Sequence, residues 1–298
     1  MTDSINTSNG RPWWKPVAFD WSRLELFVMR LSFAALAFWN VKWETRKFLD
    51  QPSPNGLAHF FDLTWLGKNP PGMMTQGFVI AFLFLYVVGL APAVGLLPWA
   101  FYATLIGTLG NSQGAINHSW QMVTMMGLAQ MFVYAWPRRG AGVFLWIRPD
   151  HERHRQAAWA ALIVIAASYV VCGLVKVVNS DGMWLVRAPW LAVQLYKTHY
   201  SHFYDTLEMP PQWLQQITET LVQYPNLARL LFGGGLFIEL VAFAILINRR
   251  WALIGGVAII ALHMSISKIM NLNFEAHMLA ALIYLVNVPG IHKAFRRS

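Results

Sequence analysis

The chain has 298 residues, of which 56% are hydrophobic and only 12% are charged, and its formal net charge is +9. Soluble domains usually carry about twice that share of charged residues, so the composition excludes an ordinary soluble protein. We expect an all-α, polytopic bundle of membrane helices, in which basic residues mark cytoplasmic loops rather than a nucleic-acid site. The single cysteine excludes an internal disulfide.

Apolar runs, taken in chain order, predict about eight transmembrane helices. The run over residues 77–107 is too long for one span and contains Pro92 and Pro98, so it is divided near Ala91 into a helical hairpin. With that division, the predicted spans cover residues 24–41, 77–91, 92–107, 117–136, 157–178, 230–247, 252–270 and 274–288.

Residues 179–227 form the longest polar stretch, and residues 212–224 within it have the weakly amphipathic pattern of a helix on a membrane surface. The N-terminal residues are polar and aromatic, and they lack the apolar core of a cleavable signal peptide. We therefore treat residues 1–298 as one transmembrane domain with an outer-face segment at 179–227.

An even number of spans places both ends of the chain on the same side of the membrane. Basic residues are concentrated on that side and include five arginines in the loop after Pro137. Because positive charge marks the cytoplasmic side, both termini are predicted to be cytoplasmic. We expect a multi-pass protein of a bacterial inner membrane, with its site facing the periplasm.

Lys176 lies near the outer end of the fifth predicted helix, with no acid beside it in the sequence. A charge at the centre of a membrane helix costs roughly 2.5–3.5 kcal/mol, so such a residue indicates function, although a lysine near a helix end also snorkels to the interface. Tyr169 and Cys172 precede it on the same helix, beside the small residues Ser168 and Gly173. That face could leave room for a ligand or allow close helix packing.

Asn117, His118 and Gln121 open the fourth predicted helix and offer hydrogen-bond donors to a developing oxyanion. The alternative is that Asn117 only caps the helix. His263 and Ser267 share one face of the seventh helix, where they either line the same cavity or bond to neighbouring helices.

Glu239 is deeply placed and needs a partner. Arg30, His263 or Lys268 could supply it, and we interpret Glu239 as part of a structural pair. No two histidines lie four residues apart beside an acid, so no metal site is predicted.

Four segments resemble successive landmarks of one family, and they occur in the order and spacing of that family. The segments are NHSWQMVTMMGLAQMF, YVVCGLVKVVNSDGMW, GGGLFIELVAFAIL and LHMSISKIMNLNFEAHMLA. The chain resembles the horizontally transferred transmembrane (HTTM) domain family, whose best-known member is vitamin K-dependent gamma-glutamyl carboxylase. The resemblance extends over nearly the whole chain from about Phe19.

By this resemblance, Lys176 is the base that deprotonates a reduced naphthoquinone, His118 stabilises charge with Asn117 beside it, and His263 matches a histidine of the penultimate helix. Oxygen then adds to the quinol, the resulting base removes a substrate proton, and CO2 traps the carbanion. We assign the cofactor-binding positions to His263, Ser267, Cys172, Tyr169 and Gln121.

The sequence departs from the carboxylase pattern in two places, at the base and in the part that holds the protein substrate. The carboxylase has a lysine pair at the base, whereas Val175 stands first here. We expect only residues 179–227 to take the place of its large lumenal part.

Two hypotheses therefore stand side by side. One is a carboxylase-like or epoxidase-like membrane enzyme that uses a reduced quinone, O2 and CO2. The alternative is a non-catalytic transmembrane scaffold subunit of a larger membrane complex, with other membrane proteins as partners. A transporter is a third hypothesis, but we find no inverted repeat that would favour it.

Overall fold

The computed structural model describes residues 19–41, 48–70, 72–114, 118–137 and 147–295. The fold is all-helical, with 80% helix and no strand in those ranges. We number the α-helices in chain order: α1 Arg23–Val41, α2 Trp65–Lys68, α3 Met73–Val88, α4 Pro92–Asn111, α5 His118–Ala135, α6 His151–Asn179, α7 Trp184–Arg187, α8 Leu191–Thr206, α9 Gln212–Gln223, α10 Pro225–Leu240, α11 Arg249–Met270 and α12 Glu275–Ala281. Short 3-10 helices cover Gly56–His59, Ala188–Trp190, Ala242–Leu246 and Val288–Ala294, and the π-helical turn Leu282–Val286 continues α12.

Three helices among the described residues are long and apolar enough to cross a membrane, namely α4, α6 and α11. Two shorter helical segments, Met73–Val88 and Glu275–Val286, are also apolar. The predicted helical, membrane-compatible fold is therefore confirmed at this level, while the count of eight spans stays a prediction.

The break between α3 and α4 lies where the sequence predicts it. Gly89 adopts a left-handed conformation with φ 77°, and the Leu90 amide donates to the Leu85 carbonyl at 2.9 Å. Ala91 is also left-handed, and Pro92 occupies the first position of α4, where its missing N–H removes no helical bond. These features end one helix and begin the next within three residues.

The start of α6 differs from the prediction, which placed it at Ala157. Asp150 caps the helix by accepting the Arg153 amide at 2.7 Å, so helix begins at His151. The buried Arg153 guanidinium donates to the carbonyls of Val133 at 2.7 Å and Trp136 at 2.9 Å. Arg153 therefore caps the C-terminal end of α5, and the prediction that it belongs to a loop is wrong.

Residues 179–227 are largely helical rather than an extended polar loop, since they contain α7, α8 and α9. The amphipathic pattern predicted over residues 212–224 is confirmed as helix α9. Leu214, Thr218 and Leu221 are buried along one face at spacings of four and three. Leu214 and Leu221 belong to a small apolar cluster with residues of α8 and α10.

Glu25, in the first turn of α1, fastens early and late parts of the described chain together. Its carboxylate accepts the Ser22 amide at 2.7 Å and the Asn287 side-chain amide at 2.8 Å. It also contacts Arg249 Nη2 at 2.6 Å and Lys293 Nζ at 2.5 Å. Two cations and two neutral hydrogen-bond donors thus surround one buried acid.

Candidate functional site

Lys176 and Glu239 form a close ion pair between α6 and α10. The Lys176 Nζ atom lies 2.5 Å from Glu239 Oε1 and 2.6 Å from Oε2, so one nitrogen contacts both carboxylate oxygens. The side chain of Lys176 is 36% exposed and that of Glu239 is 11% exposed. The predicted pair for Glu239 exists, but its partner is Lys176 and none of the three residues named from the sequence. Arg30 instead donates to the Val87 carbonyl at 3.1 Å.

Gly173 explains why α10 can approach α6 so closely. A Cβ atom at this position would lie 3.0 Å from Leu240 Cδ2 and 3.2 Å from the Cβ of Glu239. Because glycine has no side chain, Glu239 comes within reach of Lys176, three residues further along α6. Of the two interpretations of this small-residue face, close helix packing is the one that applies at Gly173.

A second polar contact lies two turns before Lys176 on α6. The Tyr169 hydroxyl lies 2.6 Å from His263 Nε2, and the proton lies on either the hydroxyl or the ring nitrogen. Both side chains are buried, and His263 Nδ1 has no hydrogen-bond partner among the described residues. A buried ring nitrogen without a partner is unusual, which makes this contact a place where a ligand could bind.

His277 extends this contact into an aromatic cluster. The centroid of its ring lies 5.1 Å from that of His263 and 6.2 Å from that of Tyr169. Phe274 packs against both histidines, with centroid distances of 4.8 Å and 5.5 Å. His277 Nδ1 is likewise buried without a partner in the described part of the chain. From the sequence, His277 is expected near the start of the eighth predicted helix, at about the same depth as Lys176, but its contact with His263 is not predicted.

Lys176 also contacts an aromatic ring. Its Nζ lies 5.7 Å from the centroid of the Trp184 ring, at the start of α7. A cation at that distance from an aromatic face is attracted by it, which helps to hold the amine in place. Cys172, one turn before Lys176, is exposed and lies within electrostatic range of both members of the ion pair.

The remaining predicted site residues make fewer contacts with the ion pair and the aromatic cluster. His118 and Gln121 are exposed on the first turn of α5, and His118 is close enough to His277 to interact electrostatically. Ser267 is half-buried, one turn after His263 on α11. Asn117 lies outside the described residues. Within the described ranges, no three His, Cys, Asp or Glu side chains come together as a metal ion would require.

The arrangement can hold and move a proton. A lysine nitrogen in contact with both oxygens of a carboxylate can share one proton with them. Beside them, a phenol and two imidazoles offer hydrogen bonds to oxygen atoms of a ligand. These residues come from four helices, α6, α10, α11 and α12. Among the described residues, Glu25 is the one other buried acid that contacts a lysine.

No family model, curated protein or solved structure matches the sequence. The resemblance to the HTTM family therefore stays a prediction, and the interpretation of the site depends on its own residues.

Proposed function

We propose that this protein is a multi-pass membrane enzyme that takes a proton from a reduced quinone at the Lys176–Glu239 pair. The observation that carries the proposal is the contact of one lysine nitrogen with both oxygens of Glu239, at the end of an apolar helix. Neither residue contacts another charged side chain in the described ranges at salt-bridge distance.

The pair gives Lys176 a way to act as a base. When the shared proton is on Glu239, Lys176 is a neutral amine. A quinol hydroxyl can then donate its proton to Nζ, which leaves an ammonium ion beside the quinolate oxygen and stabilises its negative charge. In this mechanism Glu239 assists Lys176 in two ways. It holds the shared proton while Lys176 accepts the quinol proton, and it keeps the amine in position.

The quinone oxygens would be bound by the buried polar group beside the pair. When the Tyr169 hydroxyl donates to His263 Nε2, the neutral ring carries its proton on Nδ1 and can donate to one oxygen, and His277 has a second buried Nδ1 atom without a partner among the described residues. The choice of a reduced naphthoquinone, with O2 and CO2 as co-substrates, follows the HTTM resemblance. On that basis we assign a carboxylase-like or epoxidase-like reaction.

The proposal includes a topology. Eight spans, with both termini cytoplasmic and residues 179–227 on the outer face, place the site towards the periplasm of a bacterial inner membrane. The end of α6 that carries Lys176 and the start of α12 that carries His277 then lie at the same side of the bilayer.

The test uses purified protein in detergent, given reduced naphthoquinone, O2 and bicarbonate, with quinone epoxide as the measured product. We expect wild type to form epoxide and Lys176→Met to form at least about a hundredfold less, because general-base catalysis typically contributes 10²–10⁴-fold. The matched control is Lys268→Met, which removes an exposed lysine near the end of α11. Equal activity in Lys176→Met and wild type would refute the proposal.

A second candidate function is that of a non-catalytic scaffold subunit. The observation that favours it is a set of large apolar side chains that are exposed in the segment 179–227: Trp190, Tyr204, Leu207 and Met209. Such side chains suit a surface covered by another membrane subunit. Co-purification with fixed-stoichiometry partners, together with no epoxide from wild type across several quinols, would favour this function.

A further inference from the structure

A separate cavity of about 550 Å³ lies between α3 and α4, beneath the short helix α2. Its floor is buried and formed by Leu66, Val79 and Tyr102, whereas Phe78 and Phe101 form exposed apolar walls. The volume falls within the range of roughly 300–1,000 Å³ that small-molecule sites occupy. Because the walls are exposed, the cavity opens sideways on the surface of the helical hairpin.

The hydroxyl of Tyr102 makes this cavity more than an apolar groove. Tyr102 is 8% exposed, and its hydroxyl is buried without a hydrogen-bond partner among the described residues. Buried hydroxyl groups are nearly always hydrogen-bonded, since leaving one unpaired costs free energy. An acceptor supplied by a molecule in the cavity would satisfy it.

The chemistry of the lining limits what that molecule can be. Every described lining residue is uncharged, and all but a few are apolar, so a charged soluble metabolite would find no counter-charge. Asn69 and Thr75 supply polar groups at the α2 end of the cavity, and Leu97 lies at the other end. Between Leu97 and Leu105 the cavity follows α4 for about 12 Å, at 1.5 Å per residue.

We propose that this cavity binds one membrane phospholipid, with an acyl chain between Phe78 and Phe101 and an ester carbonyl accepting a hydrogen bond from Tyr102. The glycerol region then lies beside Asn69 and Thr75. An acyl chain fits the apolar walls, and its carbonyl is the acceptor that the Tyr102 hydroxyl lacks. The site is distinct from the Lys176–Glu239 pair, and no residue is shared between them.

The test uses the protein purified in detergent micelles, to which a phosphatidylcholine with a diazirine in one acyl chain is added in increasing amounts. After illumination and digestion, mass spectrometry compares labelling of α3 and α4 with labelling of the exposed face of α11 around Ile254 and Val257. We expect labelling of α3 and α4 to saturate at one lipid per protein, while labelling of α11 keeps rising with the lipid fraction.

Tyr102→Phe keeps the ring and removes only the hydroxyl. We expect it to reduce saturable labelling about threefold to tenfold at subsaturating lipid, as loss of one hydrogen bond predicts. Tyr204→Phe, at an exposed tyrosine, is the matched control and should leave labelling unchanged. Lys176→Met should also leave it unchanged, so that failure of the catalytic proposal and failure of this one are distinguishable.

Three outcomes would overturn the proposal. The first is non-saturable labelling like that of α11, which would mean ordinary surface lipid. The second is unchanged labelling in Tyr102→Phe. The third is a loss of saturable labelling when an isoprenoid quinone is added, but not when unlabelled phosphatidylcholine is added at the same mole fraction. That result would assign the cavity to a quinone tail.

Discussion

Glu25 and Glu239 are both buried acids, but their surroundings differ in kind. Glu25 is 1% exposed and accepts from four groups, two of them cations: Ser22, Asn287, Arg249 and Lys293. Glu239 has one partner in the described ranges, Lys176, and both of its oxygens contact the same nitrogen.

The difference separates a structural acid from one that can take part in chemistry. An ionised carboxylate offers about four lone-pair sites, and the donors around Glu25 occupy them. Glu239 contacts one half-exposed amine, so loss of its charge would leave one cation without a counter-charge rather than two. Burial alone would class the two residues together, whereas the set of partners distinguishes them.

The largest effect on stability is expected at Glu25. Glu25→Gln leaves Arg249 and Lys293 without a counter-charge, and breaking such a buried network typically costs about 3–5 kcal/mol. We expect the midpoint of thermal unfolding in detergent to fall by about 5–8 °C. Glu219→Gln, on the exposed face of α9, is the matched control and should change it by less than about 2 °C. A small shift in Glu25→Gln would contradict the structural role.

The second expectation concerns the ion pair itself. Glu239→Gln should abolish epoxide formation but lower stability by only about 1–2 kcal/mol, because the partly exposed Lys176 amine can still reach water. The double variant with Lys176→Met should be more stable than the sum of the single changes predicts, by about 0.5–3 kcal/mol. Additive effects of the two changes on unfolding would show that the contact contributes nothing.

An effect on stability smaller than that of Glu25→Gln is expected from the packing that brings the pair together. Gly173→Ala introduces a methyl group 3.0 Å from Leu240 and should cost about 1–3 kcal/mol while lowering activity more strongly than stability. Gly234→Ala, in α10, meets no atom within 4 Å and should instead stabilise by up to about 1 kcal/mol. Thermal unfolding and epoxide formation are measured for both variants. Equal effects of Gly173→Ala and Gly234→Ala would contradict the packing role of Gly173.

Much of the helical framework could be predicted, because hydropathy and proline placement act locally. The hairpin break beside Pro92 and the amphipathic helix α9 both follow from nearby residues. The start of α6 could not be predicted from hydropathy, since residues 151–156 are polar. They are helical because Asp150 caps them and Arg153 binds the end of α5, a contact across 17–20 residues.

The site was predicted only in part, because its contacts join residues that are distant in sequence. Lys176, Tyr169 and His263 stand out as polar residues in apolar helices, and Tyr169 does contact His263. The pairing of Lys176 with Glu239 joins residues 63 positions apart, and sequence alone offered three other partners for that acid. The contacts of the His277 ring with His263 and Tyr169 could not be predicted, because they depend on how α12 packs against α11, which residue type does not reveal.

The contact between Glu25 and Lys293 has a consequence for biosynthesis, since the two residues are 268 positions apart. At a translation rate of about 5–20 residues per second, Glu25 leaves the ribosome on the order of ten to fifty seconds before its lysine partner. During that interval its carboxylate needs water, a proton or an insertion factor. In the proposed membrane topology, α1 can therefore settle into its final position only after the segment Val288–Ala294 has been made, so this contact forms late in assembly.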